Sequence, residues 1–169
     1  MKKNLVLTGM MGVGKSTVGK SLSKKLNMFF LDIDTIIEKK TGKTIRKIFE
    51  EDGELYFRTL EVKTTLDEIK KTNSVISLGG GAFVDKKIRD MVLSKCVVFW
   101  LDLSPELIEK RLKNIKKRPL LSSSNLKATL SKIYLDRKKT YNLANYRIDC
   151  NKLNLDEVVK KIIDHYEHK

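Results

Sequence analysis

The chain has few of the features that mark secreted, metal-binding or membrane proteins. It contains two cysteines, Cys96 and Cys150, in 169 residues. Two isolated cysteines make neither a disulfide framework nor a metal cluster, so we expect free, buried thiols in a reducing compartment. The first apolar run, residues 5–7, is too short for a signal peptide or a membrane span. With no repeat, low-complexity tract or linker, the sequence predicts one soluble, cytoplasmic domain with no membrane partner.

Acidic residues are scarce relative to basic ones. The formal net charge is +14, and residues 110–169 carry 16 Lys and Arg against 6 Asp and Glu. Such a charge could bind nucleic acid through its phosphates. However, no aromatic residues alternate with the basic ones to form a stacking surface. A positive field would equally attract a small anionic substrate and ATP, so we expect small-molecule partners and no nucleic acid.

The most informative motif lies near the start of the chain. Residues 9–16 read G-M-M-G-V-G-K-S, follow the apolar run 5–7 and lead into a helical pattern. This strand, glycine-rich turn and helix N-terminus form the context that a nucleotide-binding P-loop requires. Its backbone N–H groups and helix N-terminus would bind phosphate. Lys15 would reach the β- and γ-phosphates and the Ser16 hydroxyl would ligate Mg²⁺, so the motif predicts nucleoside triphosphate binding.

Short apolar runs alternate with amphipathic stretches along the rest of the chain. The predicted strands are residues 5–8, 29–32, 75–78, 97–101 and 146–149, and the predicted helices include residues 17–26, 55–69, 105–112, 126–141 and 155–166. This alternation predicts a three-layer α/β/α domain with five parallel strands. Leu55 and Leu155 are expected on the packed faces of their helices. Ligands of such sheets bind beyond the carboxyl ends of the strands.

Carboxylates follow several of these strands. Asp32 and Asp34 come at the end of the second, while the third ends without an acid. Asp32 could therefore help to hold Mg²⁺, and Asp34 could accept the proton of an acceptor hydroxyl. Alternatively, Asp34 is a helix N-cap and Asp32 a surface acid. Asp102 and Asp149 follow the fourth and fifth strands and are expected at the same edge.

Two further groups point to an anionic acceptor. Arg58 has Glu54 four residues before it and Glu61 three after it, all on one face of a predicted helix. These acids could hold the guanidinium ready for a substrate carboxylate, although a solvated ladder of charges is the alternative. Glycines 79–81 suit a close approach of backbone to a ligand, or form a loose turn.

A basic segment of about residues 113–124 lies between two helical patterns, with Arg118 at its centre. In a kinase such a segment could close over the phosphates and exclude water. As a bare sequence feature it is equally a plain basic loop. The lid is therefore one of two open interpretations.

Taken together, these motifs resemble the shikimate kinase family, P-loop enzymes of the nucleoside-monophosphate-kinase-like group. The likeness runs through the P-loop, the Asp32 and Asp34 pair, Arg58-Thr59-Leu60-Glu61, glycines 79–81, Arg118-Pro119-Leu120-Leu121 and the helix with Arg137 and Tyr141. It implies a sheet of order 2-3-1-4-5 in one domain, 1–169, with mobile substrate-binding helices at about 33–61 and a lid at about 113–124. It also implies that a monomer transfers the ATP γ-phosphoryl group to the 3-hydroxyl of shikimate, in the synthesis of chorismate and aromatic amino acids.

The resemblance assigns roles to individual positions. Lys15, Asp34 and Arg118 resemble the catalytic residues, and Ser16 and Asp32 the Mg²⁺ site. The positions that resemble the ATP site are Gly12, Val13, Gly14, Lys15, Ser16, Thr17, Arg111 and Arg118. Those that resemble the shikimate site are Asp34, Phe49, Phe57, Arg58, Glu61, Gly79, Gly80, Gly81 and Arg137. For the two phenylalanines, simple core packing is the alternative.

Two other functions fit parts of the pattern. A gluconate or nucleoside-monophosphate kinase would share the P-loop, and gluconate also offers hydroxyls and a carboxylate. The pair Arg58 and Arg137 with the triple glycine favours shikimate, since a nucleobase needs no carboxylate clamp. A basic P-loop module that binds nucleic acid, with ATP as regulator, would leave Asp32, Asp34 and Arg58 unexplained.

Overall fold

The computed structural model describes residues 3–113 and 125–168. Its strands are β1 (Leu5–Thr8), β2 (Phe29–Asp32), β3 (Ser74–Ser77), β4 (Val97–Asp102) and β5 (Tyr146–Asp149). Its α-helices are α1 (Lys15–Leu26), α2 (Ile33–Thr41), α3 (Ile45–Glu51), α4 (Gly53–Glu68), α5 (Lys86–Lys95), α6 (Pro105–Lys113), α7 (Leu126–Tyr141) and α8 (Leu155–Glu167), with a 3₁₀ turn at Ala82–Val84. The predicted lid beyond α6, including Arg118, lies outside the described residues.

All five strands run parallel in one sheet, in the order β2-β3-β1-β4-β5. The central strand β1 sets the register, because Leu5 pairs with Val75 on one side and with Val97 on the other. Helix α1 packs on β2, β3 and α8, while α5 packs on β4 and α4. The expected three-layer fold and strand order are therefore confirmed.

The inner and edge strands differ in burial. Every residue of β1, β3 and β4 is buried, whereas β2 and β5 keep exposed positions. The largest buried side chains lie around β4 and α7, and include Trp100, Phe99 and Tyr141. The core also includes Leu5, Val75 and Val97 at or next to the starts of these strands, so it extends along the whole length of the central sheet.

Several details differ from the sequence prediction. Strand β3 begins and ends one residue earlier than predicted, and β4 continues to Asp102. Leu55 and Leu155, expected on packed faces, are 83% and 41% exposed. Both lie in the first turn of a helix, whereas packing on the core begins further along, as at Phe57 and Val158. Hydrophobic periodicity alone does not indicate where along a helix that contact begins.

Both cysteines are free and buried, as predicted. Burial raises the pKa of Cys96 to about 11 and that of Cys150 to about 11. Within residues 3–113 and 125–168, no helix is long and apolar enough to cross a membrane.

Candidate active site

The turn between β1 and α1 lies at the carboxyl edge of the sheet. Gly14 caps α1 with a φ of 98°, in the left-handed region that a side chain disfavours. Lys15 Nζ donates to the carbonyl oxygens of Gly9 and Met10, both at 2.9 Å. The lysine ammonium is thus buried inside the curl of the loop.

Asp32 connects this loop to the next helix. The Ser16 hydroxyl donates to Asp32 Oδ2 at 2.5 Å, and the Thr35 N–H donates to Asp32 Oδ1 at 3.2 Å. Asp32 is therefore the N-cap of α2, and Asp34 lies in its first turn. The alternative in which Asp34 is the cap is wrong, because the helix begins at Ile33, before Asp34.

The oxygens of Ser16 and Asp32 form a donor set suited to Mg²⁺, a hard cation that prefers oxygen ligands. Their contact beside the P-loop fits the predicted metal position. Among the described residues, no three His, Cys, Asp or Glu side chains form a cluster that could hold a metal ion by themselves. A cation here would therefore depend on the nucleotide phosphates for further ligands.

Two carboxylates press against Gly79, in the loop after β3. A methyl group added to Gly79 would lie 2.5 Å from Glu61 Oε1 and 2.9 Å from Asp34 Oδ1. Glycine is therefore required here by close approach. The loop thereby brings together Asp34 from α2 and Glu61 from α4, so that both carboxylates lie at one point of the sheet edge.

Glu61 also fixes Arg58, one turn earlier on α4. Arg58 Nη1 donates to Glu61 Oε2 at 2.7 Å, and its Nη2 donates to Glu54 Oε1 at 3.2 Å. Burial raises the pKa of Glu61 above its ordinary value of 4.5, although the charge of Arg58 opposes this. Burial is the largest influence on Arg58 and lowers its pKa, but the two glutamates together raise it. The predicted arrangement of acids around Arg58 is thus present.

The second arginine reaches the same place from α7. Arg137 Nη1 donates to the Gly80 carbonyl at 3.1 Å, and the buried Tyr141 hydroxyl donates to the same oxygen. A methyl group on Gly81 would lie 2.8 Å from Arg58 Nη1. Both guanidinium groups therefore lie against the glycine loop, an arrangement that could bind a carboxylate. Tyr141 had no predicted role, and only its position one turn after Arg137 could have indicated it.

The two predicted pocket phenylalanines touch each other. Their ring centroids are 4.8 Å apart, and the Phe57 ring lies 5.3 Å from the guanidinium carbon of Arg58. Phe57 is buried, whereas Phe49 is half-buried. Phe57 therefore packs against Arg58 as well as in the core, and its place in the acceptor pocket, like that of Phe49, stays a prediction.

On the nucleotide side, Arg111 from α6 donates to the Val13 carbonyl at 3.0 Å. The side chains of Arg111, Ser16 and Thr17 are exposed, so a ligand can reach them.

Asp102 and Asp149 were expected to join this edge, but among the described residues their hydrogen bonds are not made to those of the candidate site. Asp102 accepts from Tyr134 and Arg147, and Asp149 accepts from Asn151.

Comparisons with known proteins agree with this geometry. The family model for shikimate kinase matches residues 11–167. The shikimate kinase of Sulfurihydrogenibium sp. (strain YO3AOP1) is 42% identical over 161 residues, which are 95% of this chain and 96% of the relative. The structure of shikimate kinase from Acinetobacter baumannii in complex with shikimate is 34% identical, with a TM-score of 0.94 over 99% of this chain and 94% of that one. A gluconokinase from Sinorhizobium meliloti 1021 covers 98% of this chain and 92% of its own, with 16% identity and a TM-score of 0.68. That last likeness shows the fold alone.

Proposed function

The chain belongs to the shikimate kinase family, and we propose that its site transfers the γ-phosphoryl group of ATP to the 3-hydroxyl of shikimate. The enzyme is an ATP-dependent shikimate kinase of aromatic biosynthesis. The observation that carries the site assignment is that Arg58 and Arg137 both lie against glycines 79–81. A carboxylate bound by both guanidinium groups would place its ring beside Asp34.

The acceptor is proposed to bind through charge and close backbone contact. Arg58 and Arg137 would bind the shikimate carboxylate, since guanidinium groups form charge-assisted hydrogen bonds with it. Glu61 would keep Arg58 in place, through the 2.7 Å contact between them. Phe49 and Phe57 would form the apolar wall of the pocket. This binding energy orients the ring hydroxyls, so that the acceptor oxygen is held for in-line attack.

In the transfer itself, a bond forms between the acceptor oxygen and the γ-phosphorus. The bond from that phosphorus to the bridging oxygen of ADP breaks. The hydroxyl proton passes to the Asp34 carboxylate, and the products are shikimate 3-phosphate and ADP. Catalysis of this kind depends on positioning and charge neutralisation.

On the phosphate side, Lys15 would exchange the carbonyls of Gly9 and Met10 for phosphate oxygens. The N–H groups of Gly12, Val13, Gly14, Ser16 and Thr17 would complete the phosphate site, and Arg111 would lie against the base. Ser16 and Asp32 would hold Mg²⁺, which when bound offsets phosphate charge. The roles of Arg118 and the lid, the mobility of residues 33–61, the monomeric state, the absence of a nucleic-acid partner and the cytoplasmic location stay predictions.

The reaction is tested by ADP release from ATP and MgCl₂ in four parallel assays, with shikimate, gluconate, AMP or no acceptor. We expect ADP only with shikimate, with stoichiometric shikimate phosphate detected by mass spectrometry. Release with AMP would retain the fold and Lys15 but overturn the carboxylate clamp, whereas release with gluconate would retain the clamp and overturn shikimate as the acceptor. If the protein still binds ATP but releases no ADP in any of the four assays, the proposed function is overturned.

A further inference from the structure

A second polar cluster lies beside the site, at the end of β4. Asp102, only 2% exposed, accepts from the Tyr134 hydroxyl through Oδ1 at 2.9 Å. Arg147 from β5 donates to Asp102 Oδ2 through Nε at 2.8 Å, and its Nη2 forms an ion pair with the same oxygen at 2.6 Å. A buried carboxylate requires such partners, because an unpaired one carries a large desolvation cost. We refer to Asp102, Tyr134 and Arg147 as the α7 anchor.

Two further features stabilise the α7 anchor: the aromatic contacts of Arg147 and the protonated state of Tyr134. The guanidinium of Arg147 lies 5.2 Å from the centre of the Trp100 ring, which itself lies 5.9 Å from the ring of Tyr141. Burial and the bond to Asp102 raise the pKa of Tyr134 to about 12. The phenol therefore stays protonated and donates to Asp102 at any working pH. Hydrogen bonds to charged groups are among the stronger ones in proteins.

The position of Tyr134 on α7 gives the anchor its significance. Tyr134 precedes Arg137 by three residues and Tyr141 by seven, so the three side chains share one face of the helix. Arg137 and Tyr141 both donate to the Gly80 carbonyl. This face is therefore fixed at two separate places, the end of β4 and the glycine loop. Leu130 on α7 is also fully buried and α7 packs on α6, so the end of β4 supplies a further, polar contact on the face that carries Arg137.

We propose that Asp102, Tyr134 and Arg147 are positioning residues, which set the rotation of α7 and so place the Arg137 guanidinium for the acceptor's carboxylate. This inference rests on the proposed function, since it assumes that Arg137 binds that carboxylate. A purely structural role would lower stability without acting on one substrate. A positioning role acts on the affinity for shikimate and leaves ATP unaffected.

The test is Tyr134→Phe, which removes one hydroxyl and leaves the ring. Its matched control is Tyr166→Phe on α8, where the lost hydroxyl bonds the Lys3 carbonyl, away from α7. We expect Tyr134→Phe to raise KM and the calorimetric Kd for shikimate by at least about fivefold, because small misplacements of binding groups are costly. The KM for ATP and kcat should change less than about twofold, and the control should match wild type in all four constants. Equal effects of the two variants on shikimate affinity, or an equal rise in the KM for ATP, would overturn the inference.

A double-mutant cycle separates positioning from general loosening. In an Arg137→Ala background, Tyr134→Phe should change the shikimate Kd by less than about twofold, because residues that act through one another are non-additive. A full fivefold effect in that background would overturn the inference. Should Tyr134→Phe fail to fold, Arg147→Gln on the half-exposed Arg147 side chain replaces it in the same cycle. Wild type without shikimate-dependent ADP release would overturn the proposed function itself, whereas an active wild type with an unaffected variant overturns only the anchor.

Discussion

The two halves of the site hold their charged groups in different ways. In the nucleotide half, residues 9–17 with Asp32, Lys15 bonds carbonyls only five and six residues away. The acceptor half consists of Asp34, Arg58, Glu61, glycines 79–81 and Arg137. There the Gly80 carbonyl accepts a hydrogen bond from Arg137, which lies 57 residues further along the chain. The P-loop contacts of Lys15 are thus local, whereas the Gly80 contact is tertiary, as is the bond from Arg111 to Val13 across 98 residues. Under the proposed function, substrate choice would depend on the half that packing assembles.

The largest expected effect breaks the acceptor half at its reacting group. Asp34→Asn keeps the shape but removes the base, so kcat should fall at least ~10²-fold, as for loss of acid–base catalysis. The KM for ATP should stay near its wild-type value in steady-state assays. Asp90→Asn, an exposed acid paired with Lys86 on α5, is the matched control and should be silent. Near-normal turnover by Asp34→Asn would remove Asp34 from the catalytic role.

The next effect breaks the nucleotide half alone. Lys15→Met removes the cation that neutralises phosphate charge, so we expect kcat to fall at least ~10²-fold. Because the acceptor half does not contact Lys15 in our assignment, calorimetric shikimate affinity without nucleotide should stay unchanged. Lys20→Met, exposed on the same helix, serves as control. A parallel loss of shikimate affinity would contradict the division into two halves.

A smaller effect is expected from the carboxylate clamp. Arg58→Ala should raise the KM for shikimate roughly 10- to 100-fold, since hydrogen bonds between charged groups contribute about 1.5–3 kcal/mol. The effect on kcat should be minor, because the carboxylate takes no part in bond formation. Arg46→Ala, which breaks an exposed pair with Glu50 on α3, is the control. Unchanged saturation by shikimate would disprove the clamp assignment.

The smallest effect concerns pH. Because burial raises the pKa of Glu61 above 4.5, its contribution to stability is fully present below about pH 4.5 and is lost as pH rises through the higher native value. The Tm of wild type minus that of Glu61→Gln should therefore decrease between about pH 4 and pH 7 in calorimetric scans. For a domain of this size, each kcal/mol corresponds to about 2–4 °C. An increasing difference would mean that Arg58 outweighs burial and lowers this pKa.

The nucleotide half and the sheet were predictable because their signals are contiguous. The P-loop fits within one turn, and the five short apolar runs imply parallel strands whose ends meet at one edge. Asp32 and Asp34 follow a strand directly, so their place at that edge needed no packing information. The arrangement of Glu54, Arg58 and Glu61 follows from helical spacing alone.

The convergence on Gly80 was not predictable from the residues themselves. Tyr141 and Gly80 lie 61 residues apart, and no local pattern links a tyrosine hydroxyl to a particular carbonyl. Asp102 is a second example of a contact that the sequence does not predict. Its place at the end of a strand suggested that it lies at the ligand-binding edge of the sheet. Its actual partners, Tyr134 and Arg147, come from a distant helix and strand. Only the resemblance to a family linked Arg137 to the acceptor.

The buried cysteines have a practical consequence for spectroscopy. The thiolate is the reactive form, and burial raises the pKa of both thiols to about 11, so both stay protonated near neutral pH. Maleimide and iodoacetamide reagents should therefore leave both native thiols unmodified in the folded protein. A cysteine introduced at an exposed position can then carry a fluorophore or spin label at one known place. With two introduced cysteines in one chain, the distance between their labels could be followed during turnover without first removing either native cysteine.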